Sequence, residues 1–127
     1  KHWGIDAQVS ETVVNATKDN FIYRKLGAIR VQGKKESINV YELLCKVEDK
    51  TESLNKLLTK FEAARNLYLN QKWDDAIESF KECSILEDMS SIYRKTNPSL
   101  TYIGICNEFK INPPDKDWDG VYNFKSK

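Results

Sequence analysis

Two runs early in the chain alternate apolar and polar residues, and later runs repeat apolar residues at steps of three and four, with the change near Lys50. Ile29-Arg30-Val31-Gln32 and Ile38-Asn39-Val40-Tyr41-Glu42-Leu43 have period two, the pattern of half-buried strands. The loop between them is short, charged and contains Gly33, so the pair predicts a β-hairpin. Just upstream, Phe21-Ile22-Tyr23-Arg24 is rich in strand formers, and Leu26-Gly27 allows a bend or bulge. Residues 5–9 predict a short strand. Ser10 is a good N-cap for one or two helical turns through Glu11, Thr12, Val13 and Val14, and Asp19-Asn20 end them.

Residues 46–53 are polar and read as a linker, with Thr51 or Ser53 capping the next helix. Leu54, Leu57, Leu58, Phe61, Ala64 and Tyr68 form one face of an amphipathic helix. Asn70-Gln71-Lys72 breaks it. Trp73, Ala76, Ile77, Phe80 and Cys83 form a second stripe, with Asp74 and Asp75 in the first turn, where the helix dipole favours negative charge. Two helices joined by a short polar turn make an antiparallel hairpin. Asn97-Pro98 opens a third helix carrying Leu100, Tyr102, Ile103, Cys106 and Phe109, and Pro113-Pro114 forbids its continuation. Between the second and third helices, Ile92 and Tyr93 suggest a partly ordered turn. Trp118, Val121, Tyr122 and Phe124 make the last stretch too apolar for a free tail, and it is expected to pack back in extended form. The expected fold is α+β: a hairpin and short-helix unit over residues 1–48, then a three-helix module with an extended end over residues 49–127.

Composition narrows the function classes. A chain of 127 residues holds one or two domains, and splitting it leaves each with a thin core. A net charge of +1 gives no argument for nucleic acid or an anionic membrane as partner. No apolar run approaches the ~20 residues of a membrane helix, and no signal peptide opens the chain. The first residue is Lys1 rather than Met, so an excised fragment is expected, and a membrane anchor elsewhere in the parent stays open. Cys45, Cys83 and Cys106 are odd in number and widely spaced, and His2 is the sole histidine, which argues against zinc. They read as small buried apolar residues in a reduced, cytoplasmic protein.

Two stretches carry a resemblance. The run Phe21-x-Tyr23-Arg24-x-Leu26-Gly27-x-Ile29-x-Val31-x-Gly33-Lys34, then Ile38-x-Val40-Tyr41-Glu42-Leu43, resembles the end of the class III nucleotide cyclase catalytic domain. Gly4-Ile5-x-x-x-Val9-Ser10-Glu11-x-Val13 matches that domain's lead-in strand and helix. The remainder is similar to the tail of bacterial adenylate cyclases with an extracellular sensor, through Phe61-x-x-Ala64-x-x-x-Tyr68, Trp73-x-x-Ala76-x-x-x-Phe80, Pro113-Pro114-x-x-x-Trp118-Asp119-Gly120-Val121 and a final lysine, Lys125 or Lys127. The helical hairpin also resembles one tetratricopeptide repeat, since Ala64, Ala76, Phe80 and Cys83 fall where close helix approach wants small or aromatic residues. A plain helical bundle accounts for the same stripes.

The resemblance implies a parent that turns ATP into cyclic AMP and pyrophosphate in signal transduction, using two Mg or Mn ions held by aspartates. In that family the metal ligands and the asparagine and arginine that stabilise the transition state precede the segment seen here. The chain is therefore expected to have no catalytic residue, metal or cofactor of its own, and to show no turnover alone. Its implied partners are the upstream cyclase core, a second copy through the parent, and a protein at the helical module. The family's hairpin loop offers a lysine to the triphosphate. Gln32 stands at that position, Lys34 matches the second lysine, and Lys35 follows; a glutamine donates a hydrogen bond without charge and so holds phosphate less strongly. A solvated lysine turn explains the same residues.

Other clusters have plain explanations. Asp74-Asp75 is accounted for by the helix start. Asp115, Asp117 and Asp119 alternate around Trp118 but lack the Gly and terminal Glu of a calcium loop. Trp3, Trp73 and Trp118 read as packing residues before they read as a binding platform. Packing or interaction falls to Phe61, Ala64, Tyr68, Trp73, Ala76, Phe80 and Trp118. The competing function is a stand-alone interaction module that binds a partner segment along its helices.

Overall fold

A computed structural model describes residues 8–31, 35–89 and 97–124. They form a mixed α+β structure that divides into two compact units. One comprises the described part of Lys1–Lys50 with that of Asp117–Lys127, and the other is Thr51–Lys116.

The first unit is a four-stranded sheet in the order β1-β3-β2-β4. β1 is Gln8–Val9, β2 is Phe21–Val31, β3 is Ile38–Lys46 and β4 is Tyr122–Phe124. The predicted hairpin is present: β2 and β3 are antiparallel, with Arg24 opposite Glu42 and Ile29 opposite Ile38. Leu26-Gly27 does make a bulge, since the register shifts between Lys25 and Gly27, and Gly27 has φ 155°. One extra residue turns the alternation over. Arg24 is buried before it, Leu26 within it and Ile29 after it, so even and odd positions of one strand both face inward, beside Val40, Glu42 and Leu44.

α1, Glu11–Thr17, begins where Ser10 accepts a hydrogen bond from the Val13 amide at 3.3 Å. Glu11 accepts from Asn39 and from the Tyr41 hydroxyl, and Thr17 meets the Tyr23 hydroxyl at 2.5 Å, which fastens the helix to outward-facing positions of the hairpin. The last stretch, expected with the helices as an extended segment, is a strand of this sheet. β4 runs parallel to β2, pairing Ile29 with Tyr122 and Arg30 with Asn123.

The second unit holds α2, Glu52–Leu69, α3, Trp73–Met89, and α4, Pro98–Ile111. Thr51 caps α2 by accepting from the Leu54 amide at 3.1 Å, and Gln71 closes it in the left-handed region with φ 60°. Leu54, Leu57, Phe61, Ala64 and Tyr68 are buried along α2, and Ala76, Ile77, Phe80 and Cys83 along α3. The inward face of α4 departs from its expected stripe. Leu100 is 57% exposed, whereas Ile105 is buried with Tyr102 and Cys106, and Pro98 and Ser99 are covered at the helix start. Asn97 caps α4 and also reaches the Ser84 side chain at 3.0 Å, while Glu87 accepts from the Ser99 amide and hydroxyl. These contacts set the roll of α4 against α3 and turn Leu100 outward. Among the described residues no helix is long and apolar enough to cross a membrane.

Candidate functional site

The end of the hairpin is organised by one arginine. Arg30, next to last in β2, donates from Nε to the Lys35 carbonyl at 3.0 Å, from Nη1 to Asn123 Oδ1 at 3.2 Å and from Nη2 to Asp119 Oδ2 at 3.1 Å. The planar guanidinium suits this, because its donors lie in a fixed fork. Asp119 is prepared for it. Its Oδ1 accepts from the Val121 amide at 3.0 Å, and Trp118 Nε1 donates to the Val121 carbonyl at 2.9 Å. Gly120 allows that turn at φ 82°. The Val121 amide, and then the Arg30 side chain, hold the Asp119 carboxyl below its ordinary range against a small opposing effect of burial. A depressed carboxyl pKa favours the docked arrangement above the ordinary value of about 3.9, and that contribution fades as acid protonates Asp119.

Of the three residues expected near phosphate, Gln32 and Lys34 lie outside the described residues. Lys35 is exposed at the hairpin end, and its carbonyl takes the Arg30 bond. The helical residues sit elsewhere: Phe61, Ala64, Tyr68, Ala76 and Phe80 are buried within the second unit and Trp73 is half-buried there. Trp118 is half-buried in the first unit and belongs to the closing turn beside Asp119. Trp3 and His2 are outside the described residues.

The sheet contains a feature that no motif reading singled out. Arg24 and Glu42 face each other on adjacent strands, both buried, with Nη2 to Oε1 at 2.6 Å and Nε to the same oxygen at 3.0 Å. The signal was in the alternation. Arg24 keeps phase with Leu26, and Glu42 with Val40 and Leu44, so two opposite charges stood at inward positions of neighbouring strands.

In the helical unit, rings fill the space between the helices. Phe80 and Tyr102 stack with centroids 4.6 Å apart, and Phe61 meets both edge-on at 5.6 and 5.8 Å. Tyr68 and Trp73 continue the cluster to Phe109. Burial pushes the Tyr102 phenol up to about 12 even though Arg65 donates to it at 3.1 Å, and burial likewise pushes the Cys106 thiol up to about 12. Cys83 and Cys106 are buried, Cys45 is half-buried, and no disulfide joins them. A thiol reagent at about pH 8 is therefore expected to label Cys45 alone in the folded chain and three cysteines in denaturant. Rapid labelling of all three without denaturant contradicts this packing.

On the outer side of α2 and α3 lies a groove of about 550 Å³, lined by Asn55, Lys56, Thr59, Lys60, Glu82, Ile85 and Leu86. Ile85 is 62% exposed there, and Lys60 bridges to Glu82 at 3.1 Å. Among the described residues no group of three or more His, Cys, Asp or Glu side chains gathers as a metal site.

Comparison with known proteins adds one relationship. The chain is 27% identical over 100 residues to an adenylate cyclase of Dictyostelium discoideum described as terminal-differentiation specific. The match covers 78% of this chain and 4% of that protein's length. No protein-family model matches, and no solved structure matches. The chain is thus similar to part of an adenylate cyclase.

Proposed function

We propose that this chain is the C-terminal part of a class III adenylate cyclase: the closing strands of the catalytic sheet followed by a helical module, structural or regulatory in role. The observation that carries the reading is the similarity to the Dictyostelium adenylate cyclase across 78% of the chain. The sheet supports it. Its two long strands are bordered by a two-residue strand and a three-residue strand, and over residues 21–28 β2 has a described strand neighbour on one side only. An edge of that length is normally paired or covered. In this reading the missing neighbours are upstream cyclase strands, and the upstream core also supplies ATP binding, the Mg or Mn ions and the transition-state groups. The chain's own residues complete the sheet and present Lys35 at the hairpin end as a cation toward the triphosphate. A second copy would join through the parent.

The test is an assay of ATP conversion to cyclic AMP by the longer protein that this reading requires, intact and lacking residues 21–46. The intact protein is expected to make cyclic AMP with Mg or Mn, and the deletion to lower the rate by roughly 100-fold or more, as misplacement of reacting groups does. An intact protein without this activity overturns the reading.

One observation favours a second reading. The groove beside Ile85 would let the helices hold an extended or helical partner segment, as an interaction module does. Full cyclase activity in the deletion variant would favour it.

A further inference from the structure

The closing turn and strand touch the sheet through few residues, yet they engage an arginine that makes three hydrogen bonds. β4 adds three ladder positions beside β2. All three nitrogens of the Arg30 guanidinium are used: two on the closing segment, at Asp119 and Asn123, and one on the Lys35 carbonyl, where the chain returns from the hairpin loop. One side chain thus joins two pieces of chain far apart in sequence. The closing segment is internally hydrogen-bonded, with Val121 buried, its amide on Asp119, its carbonyl on Trp118 and Gly120 in the turn. Three residues of strand are too few to make it permanent. Short edge elements open at much lower free energy than the strands they join.

We propose that residues 119–123 form a releasable strap that fixes the loop end of the β2–β3 hairpin, with Arg30 as the positioning residue that carries the constraint to Lys35. The strap begins shortly after Lys116, the last residue of the helical unit. A ligand that favours the undocked strap loosens the hairpin end, and one that favours the docked strap tightens it. The consequence for phosphate binding rests on the reading of Lys35 given under Proposed function. With the strap docked, the backbone beside Lys35 is held and a phosphate contact loses less freedom on forming.

The test uses the whole chain and three variants. Arg30→Lys keeps the charge and loses the fork; Asp119→Asn keeps an acceptor for Val121 and loses the charge; Asn123→Ala removes the third acceptor. Amide hydrogen exchange is followed residue by residue, and inorganic tripolyphosphate is titrated against the Lys35 amide shift. The expected result is that exchange quickens together at residues 122–124 and 38–40, by about threefold to fivefold as suits a networked surface ion pair, with α2, α3 and α4 unchanged. Tripolyphosphate binding weakens by a similar factor. Faster exchange at residues 122–124 with none at 38–40 overturns the strap. Coupled exchange with no tripolyphosphate response in the unaltered chain leaves the strap standing and removes the phosphate role of Lys35.

Discussion

Replacing Arg24 with methionine is expected to destabilise the sheet unit by about 3–5 kcal/mol, the cost of leaving one member of a buried ion pair without the other. Glu42 is 5% exposed, and its Oε1 receives both Arg24 bonds. Methionine fills much of the arginine's volume, so the loss reports charge rather than a cavity. The double variant Arg24→Met, Glu42→Leu removes both charges and is expected to recover most of the loss, because the desolvation cost of the pair goes with it. Urea unfolding of the single and double variants, followed by hydrogen exchange in β2 and β3, measures this. A single variant within about 1 kcal/mol of the unaltered chain would mean that the pair is wet, as surface pairs are.

Phe80→Ala is expected to cost about 3–5 kcal/mol in the helical unit, since truncation of a fully buried phenyl ring loses transfer free energy and leaves a cavity. The ring is covered by Phe61 and Tyr102, and three helices meet on it. No single helix can relax into the gap without breaking its own packing against the other two. Ile85→Ala, five residues further along α3 on the outer side, is the control and is expected to change stability by no more than about 0.5 kcal/mol. Thermal unfolding followed by helical circular dichroism separates the two. Equal effects would show that the three helices do not close around Phe80.

Much of this architecture was legible where local signals and periodicity agree. Ser10 and Asn97 were readable as caps, and Thr51 as one of two candidates with Ser53, because a hydroxyl or amide in front of an apolar stripe has one good use. The α2 and α3 stripes were readable because polar residues separate them cleanly. α4 was harder. Leu100, Ile103, Ile105 and Ile111 are apolar on several sides of one helix, so spacing alone does not choose a face, and Glu87 and Asn97 decide it through long-range bonds. The burial of Arg24 and Glu42 was present in the alternation but hidden, because either charge taken singly argues for solvent. The pairing of β4 with β2 joins residues more than ninety positions apart, as in Arg30 with Asn123, and a three-residue strand has no pattern of its own. The role of Asp119 was equally hidden. It looked like one of three alternating aspartates, and its partner is an arginine at the other end of the chain.

The hairpin as the closing pair of a larger sheet is tested most directly at its open edge. Amide hydrogen exchange should be measured for residues 21–28 of β2 in this chain alone and again within the longer protein that the proposed function requires. The outward amides of that stretch are expected to exchange quickly in the isolated chain and to slow by roughly 100-fold or more in the longer protein, where an upstream strand pairs with them. Equal exchange in both would mean that the edge has no partner to gain and that the strands belong to a sheet already complete.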